Sequence, residues 1–270
     1  MSTATLTHPT PAAPLSDVRR RPFADSKVFI GRSIKHSLRS IDAMMTALAL
    51  PLIILLMFVY VFGGAIQGDG RYIDYVVPGI ILLAAGFGSA ETSVTVATDM
   101  TTGVIDRFRS LPVAAASVLV GHVTATVLRN LVSSVLVLGL ALALGFRPHA
   151  GVLGWLGVVG VLALFMSAIA WLAATFGLLA KSAEGAAAFG FIVMFLPYVS
   201  SAFVPPATMP GFLRPIAEHQ PVTPVIETLR GLMMGTPIGT VWITALAWCI
   251  GGIVLGVAAS SLLFGRRTAH

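Results

Sequence analysis

Long apolar runs recur along the chain, separated by short connections that hold most of the polar, Gly and Pro residues. A helix that crosses a bilayer needs about 20 mostly apolar residues. Because the runs are continuous and not alternating, the pattern predicts helices and not the strands of a β-barrel. Six transmembrane helices are predicted, at residues 45–66, 75–98, 118–146, 156–180, 186–204 and 241–264.

Composition supports the same fold class. Hydrophobic residues make up 56% of the 270 positions and charged residues only 10%, whereas a soluble domain carries about 25% charged residues. So few charges would not cover a water-soluble protein of this size. We therefore predict an all-α integral membrane protein. The net charge of +6 is explained by basic residues that flank the apolar runs, so no nucleic-acid partner is predicted.

Lysine and arginine also predict the orientation. If the sides of the membrane alternate along the chain, twelve of these residues fall on one side and four on the other. Positive residues concentrate on the cytoplasmic side, so both termini are predicted in the cytoplasm of a multi-pass protein of the bacterial inner (plasma) membrane. The four on the outer side are Arg71, Arg147, Arg214 and Arg230.

The segment before the first span divides in two. Residues 1–25 are rich in Pro, Thr and Ala, which predicts a disordered cytoplasmic tail and not a signal peptide. Residues 26–44 carry apolar positions at helical spacing, with basic residues largely off that stripe. This pattern favours an interfacial helix on the inner leaflet; the alternative is a cytosolic extension of the first span. The stripe consists of Ile30, Ile34, Leu38, Ile41 and Met45.

The second cytoplasmic connection has a helical stripe of its own, formed by Met100, Val104, Phe108 and Leu111. Pro112 ends that helix. A short amphipathic helix on this side could dock in a groove of a soluble partner. The alternative is a basic loop that only sets topology, and periodicity does not distinguish the two.

The fifth connection, residues 205–239, is the longest and contains seven prolines. Between the prolines lie apolar pieces, such as residues 222–234, that are too short to span. Such pieces are typical of re-entrant or interfacial half-helices. An irregular surface loop is the alternative, but the segment is too apolar for open water.

Two charged residues interrupt the predicted spans. Glu91 lies about 12 Å from the cytosolic end of the second span, and Arg129 lies about 16 Å along the third. Because the third run is longer than the bilayer core, its start can project into the cytoplasm. Both residues then lie at a similar depth, and we predict an intramembrane ion pair. The alternative for Arg129 is snorkelling to lipid headgroups.

Catalytic and metal-binding patterns are absent from the sequence. No nucleotide-binding loop G-x-x-x-x-G-K-[ST], no H-E-x-x-H and no G-x-S-x-G occurs. The six histidines are scattered without metal-ligand spacing, and Cys249 is the single cysteine. No catalytic residue, metal or cofactor is predicted in this chain. Any ATP that drives transport must be bound by another polypeptide.

Besides the predicted interfacial helix, local motifs lie at residues 75–79, 103–113, 203–205, 209–210, 219–224 and 230–231. No single motif is diagnostic, but their order and spacing are specific together. Together they resemble the type-2 ABC transporter permeases, and within them the daunorubicin-resistance permease family. The likeness covers roughly residues 26–267, which we take as one permease domain.

The resemblance implies that the chain is one subunit of a larger transporter complex. A permease of this kind pairs with a second copy or a paralogue, and two cytosolic ATPase subunits bind the ATP and Mg²⁺. Residues 103–113 then correspond to a cytosolic coupling helix, and residues 205–239 to a pair of outer half-helices. The implied coupling residues are Gly103, Asp106, Arg107, Phe108, Arg109, Leu111 and Pro112. The implied outer residues are Pro205, Pro210, His219, Pro221, Pro224 and Arg230.

Export of a drug, an antibiotic or another amphipathic molecule is the function that the resemblance implies, with membrane lipid around the chain and ATP hydrolysis on a separate subunit. Export of a lipid or a lipid-linked glycan is the alternative within the same class. Outside it, an ion-coupled secondary transporter would need no ATPase, and a membrane-embedded enzyme would need catalytic groups that this sequence lacks. The identity of the substrate and of the partner permease stays open.

Overall fold

The computed structural model describes residues 41–63, 72–102 and 115–267, and all the regular secondary structure in these ranges is helical. A π-helical stretch, Met57–Phe62, extends the first helix, and short 3-10 helices lie at Leu196–Val199 and Pro206–Thr208. The α-helices are α1 Ile41–Leu56, α2 Tyr72–Thr101, α3 Ala115–Ala143, α4 Val152–Leu179, α5 Ala183–Phe195, α6 Arg214–His219, α7 Val222–Met234 and α8 Val241–Arg267.

Four of these helices are long and apolar enough to cross a membrane, namely α2, α3, α4 and α8. Two shorter apolar stretches, Ala49–Phe62 and Ala183–Val199, correspond to the first and fifth predicted spans. The all-helical membrane architecture is confirmed, and the count of six spans stays a prediction. The coupling segment 103–113 and most of the interfacial segment 26–44 lie outside the described residues.

The fifth span differs from its prediction. Continuous α-helix ends at Phe195 instead of reaching residue 204, and a 3-10 turn with Pro197 follows. Proline has no N–H to donate and its ring clashes with the preceding helical turn. Residues 200–204 are consequently part of a buried loop, and not of a helix.

α2 is the central helix and the most buried of the four long ones. It packs on α3, α4 and α5, while α8 packs mainly on α4. At its start α2 comes very close to the loop after α5: a Cβ on Gly79 would lie 2.8 Å from the Ala202 backbone. Only a glycine allows this approach without displacing the loop.

Two ends of the bundle can be defined by what they hold. The α7 end contains the start of α2, residues 144–151 and residues 200–240; the far end contains the end of α2, the start of α3 and residues 180–182. α3 ends at the α7 end with Gly145 at φ 107°, where the Phe146 N–H reaches back to the Ala141 carbonyl at 2.9 Å. This left-handed glycine cap is a common way to end a helix.

Candidate functional site

A seam of polar side chains joins α2 to α3 inside an otherwise apolar bundle. The Asn130 amide donates to Ser89 Oγ at 2.9 Å and to the Ala85 carbonyl at 3.3 Å. One turn nearer the far end, the hydroxyls of Thr92 and Thr126 lie 3.1 Å apart. Because these groups are buried, each would be costly without its partner. The bonds therefore fix α2 and α3 against each other.

Ionisable groups continue the seam toward the far end. Arg129 Nη2 lies 2.7 Å from Glu91 Oε2 and 3.4 Å from the Gly88 carbonyl. Nearer the helix ends, His122 Nε2 lies 2.9 Å from Asp99 Oδ2. The predicted pair of Glu91 and Arg129 is thus in contact, whereas the sequence analysis did not single out His122 as a partner. We call the whole set, from Ala85 to Asp99 on α2 and from His122 to Asn130 on α3, the α2–α3 seam.

The seam leads directly to the predicted coupling segment. Residues 103–114 connect α2 to α3 at the far end, but Gly103, Asp106, Arg107, Phe108, Arg109, Leu111 and Pro112 lie outside the described residues. Met100, the first member of their stripe, is described. It packs against a small apolar cluster of Val96, Leu119, Ala174 and Leu178. The last turn of α2 is therefore anchored to both α3 and α4.

Arg230 is the organising residue at the α7 end. Its Nη2 donates to the Ser201 carbonyl at 2.6 Å, its Nε to the Tyr75 carbonyl at 3.2 Å and its Nη1 to Glu227 at 2.8 Å. The guanidinium also lies 3.8 Å from the centre of the Tyr75 ring. A planar group with several donors suits this arrangement. One side chain of α7 thereby holds α2 and the loop after α5.

Aromatic residues surround the same junction. Tyr72 at the start of α2 donates its hydroxyl to the Phe203 carbonyl at 2.8 Å. The Phe203 ring stacks on Phe58, with centroids 4.2 Å apart, and on Tyr198, with centroids 5.1 Å apart. The π-helical end of α1 is therefore tied to the loop after α5. Sequence reasoning missed these contacts, since isolated aromatics in apolar runs carry no signal for their partners.

The remaining residues of the predicted outer region take separate places. Pro221 and Pro224 begin α7, where Pro224 is buried, and α7 itself packs on α2, α4 and α8. His219 ends α6 with its Nδ1 2.9 Å from the Pro215 carbonyl, and it is exposed together with Pro205 and Pro210. Arg230 and the two prolines thus share α7 or its first turn, and the other three lie outside that helix. Among the described residues, no cluster of His, Cys, Asp and Glu could hold a metal.

Comparison with known protein families identifies the family of this chain. The family model "ABC-2 type transporter" matches residues 25–234, which include the α2–α3 seam and Arg230. The chain belongs to the ABC-2 type transporter family. It is thus a multi-pass membrane permease by family, in agreement with the apolar helices of the structure.

Two named members of the ABC-2 type family are similar over most of the chain. The daunorubicin resistance ABC transporter permease protein DrrB1 of Streptomyces coeruleorubidus is 34% identical over 225 residues, which cover 82% of this chain and 79% of the relative. The probable doxorubicin resistance ABC transporter permease protein DrrC of Mycobacterium tuberculosis H37Rv is 29% identical over 231 residues, covering 83% of this chain and 82% of the relative.

Proposed function

We propose that the chain is the permease subunit of an ATP-driven exporter of amphipathic drugs or antibiotics. The names of the two relatives support this cargo class. The lack of a nucleotide-binding loop supports the binding of ATP and Mg²⁺ by a separate cytosolic ATPase, which we propose is present in two copies. A second permease, identical or paralogous, completes the assembly. The substrate passes between the two permeases.

The proposed orientation puts the far end in the cytosol and the α7 end outside. The positive residues of the connections support it. α7 buries nine of its 13 residues against neighbouring helices. A short buried helix of this kind fits the role of a re-entrant half-helix. Its Gly235, at φ 68°, ends the helix and lets the chain turn back toward α8.

The observation that carries the mechanism is the α2–α3 seam. Its hydrogen bonds, the ion pair of Glu91 with Arg129 and the contact of His122 with Asp99 join the two helices that the segment 103–114 connects. If an ATPase moves that segment, α2 and α3 have to move together, because separating them would leave buried polar groups unpaired. Motion at the far end is in this way carried to the middle of the bundle.

Arg230 links movement of α2 to opening of the outer side in the proposed mechanism. It joins α7 to the start of α2 and to the loop after α5, so tilting α2 strains this junction. We propose that the outer side stays closed while these bonds hold and opens when α2 moves away. The change in contacts at the far end is then coupled to release of cargo at the α7 end.

The test is transport by the chain reconstituted in proteoliposomes with the ATPase that co-purifies with it. We expect ATP-dependent uptake of doxorubicin into vesicles in which the far end faces the bath. The double variant Arg107→Ala/Phe108→Ala should insert normally but lose ATPase binding or uptake. If binding and uptake both survive, the coupling assignment is wrong.

The same vesicles separate the alternative functions. Transport of a lipid-linked glycan without any doxorubicin uptake would show that the cargo is a lipid and not a drug. Uptake driven by an ion gradient without any ATPase would instead identify a secondary transporter. Failure to co-purify any ATPase would contradict the proposed assembly itself.

A further inference from the structure

A cavity of about 400 Å³ lies between α2, α4, α5, α7 and α8. Its volume falls within the ~300–1,000 Å³ that is typical of small-molecule pockets. It is lined on the inside by buried residues such as Phe165, Val225 and Cys249. It is distinct from the Arg230 junction, and of the α2 stretch that carries the α2–α3 seam only Gly86 lines it.

The lining of this cavity is almost purely hydrocarbon. Apart from the indole N–H of Trp248 and the thiol of Cys249, none of its side chains carries a polar atom, and none is charged. An amphipathic drug with an amine or hydroxyl groups would find no partner there, and burying such groups unpaired is costly. The occupant that this chemistry favours is a plain hydrocarbon chain.

The mouth of the cavity is on α8. All of its exposed lining residues belong to that helix, namely Ala247, Trp248, Gly251 and Leu255. The other exposed large side chains of α8 are also apolar, among them Ile250 and Val254, as expected of a helix face in contact with lipid. A molecule in the bilayer therefore reaches the cavity without crossing water.

Depth along α8 indicates which part of a lipid can enter. Gly251 is ten residues from the start of α8 at Val241, which places it about 15 Å along the helix, near the middle of the ~30 Å hydrocarbon core. Headgroups do not reach this depth, but acyl chains do. The mouth thus opens where the surrounding solvent is acyl chain.

We propose that this cavity binds the acyl chain of a membrane lipid, taken up sideways between α8 and the rest of the bundle. The bound chain fills the space beside α7 and supports the packing of α7 on α4 and α8. The proposal does not rest on the export function, since it needs only that the chain is embedded in a bilayer.

The test uses a phosphatidylglycerol with a photoactivatable diazirine in the middle of one acyl chain, mixed into nanodiscs of phosphatidylethanolamine and phosphatidylglycerol that hold the full chain. After illumination, peptide mass spectrometry locates the adducts. We expect adducts on the buried residues Cys249 and Phe165, in addition to adducts on the exposed lipid-facing residue Val254. Absence of adducts on the two buried residues would overturn the proposal.

Gly251→Phe is the blocking variant. A Cβ there meets no heavy atom within 4 Å, so the side chain can begin without overlap, and we expect its ring to occupy the mouth. We expect labelling of Cys249 and Phe165 to fall about tenfold, while labelling of Val254 stays the same. Equal labelling of Cys249 in this variant and in the unmodified protein would contradict the proposal.

Gly160→Phe on α4 is the matched control. Gly160 is exposed, its Cβ would also meet nothing within 4 Å, and it does not line the cavity. Labelling of Cys249 should be unchanged in this variant. Addition of doxorubicin to the unmodified protein separates a lipid site from a cargo site: unchanged labelling supports the lipid, and complete displacement identifies cargo and overturns the proposal.

Discussion

Two arginines at the α7 end of the bundle differ sharply in how many elements they contact. Arg230 contacts α2, the loop after α5 and its own helix. Arg214, also at the α7 end, pairs within the described part of the chain only with Glu218 one turn away, at 2.7 Å and on an exposed surface. Exposed pairs within a helix contribute little to stability. The two arginines therefore form a natural comparison.

Arg230→Lys should destabilise the protein although it keeps the charge. A lysine cannot reach two carbonyls and a carboxylate at once or lie flat on the Tyr75 ring, and hydrogen bonds from charged groups are worth roughly 1.5–3 kcal/mol each. We expect a loss of about 2 kcal/mol, measured as a lower thermal unfolding temperature in detergent. Arg214→Lys should leave that temperature unchanged, and equal effects of the two variants would contradict the role given to Arg230.

The ion pair of Glu91 and Arg129 can be tested by charge reversal. Each single reversal, Glu91→Arg or Arg129→Glu, puts two like charges at a site where the paired atoms are now 2.7 Å apart. Like charges so close together are costly inside a bilayer. The double reversal restores opposite charges. We expect membrane-inserted yield and transport to be recovered in part by the double variant. A double variant no better than either single one would show that the two residues act separately.

At the level of the element, helix pairs owe their spacing to small residues placed opposite polar ones. Gly88 on α2 faces the Asn130 amide so closely that any Cβ there would overlap it. The same amide is bonded to Ser89 and Ala85. The distance between α2 and α3 is therefore set by one glycine and one asparagine, in the middle of the α2–α3 seam.

Gly88→Ala should separate these helices and cost about 1–3 kcal/mol through overpacking, read out as a lower thermal unfolding temperature. Gly139→Ala, on α3, is the control, because its Cβ meets nothing within 4 Å and alanine favours a helix by about 1 kcal/mol. Adding Asn130→Ala to Gly88→Ala should restore part of the loss. If Gly88→Ala is as stable as Gly139→Ala, the seam does not fix the helix spacing.

The elements themselves were largely predictable from the apolar runs, and the contacts between them were not. The predicted and observed bounds of the long helices agree within a few residues, because length and hydropathy define a span directly. Glu91 and Arg129 could be matched by depth, since the rise per residue is constant. Asn130, His122 and Tyr75 could not be matched to partners, because a polar residue within an apolar run does not indicate which helix it faces.

For the molecule as a whole, the two ends carry different kinds of contact. The far end has partly exposed ionisable groups of the α2–α3 seam near the last described turn of α2, whereas the α7 end is held by buried hydrogen bonds and stacked rings. The far end is suited to contact with a soluble partner. The α7 end is suited to keep the outer side closed. This asymmetry agrees with the proposed orientation, which a labelling experiment can test directly.

Cys249 is the single cysteine and it is buried, so Cys249→Ala provides a background for single-cysteine variants. Gly211→Cys is exposed at the α7 end, and Lys181→Cys is exposed at the far end. A membrane-impermeant maleimide added to intact cells should label the first and not the second, and in inside-out vesicles the pattern should reverse. Gly68→Cys and Gly103→Cys should follow Gly211→Cys and Lys181→Cys respectively, as the positive residues of the connections predict. Labelling of Lys181→Cys from outside would show that the topology is inverted. It would also contradict the proposed docking of the segment 103–113 on an ATPase, because a docking site for a cytosolic ATPase has to lie in the cytosol.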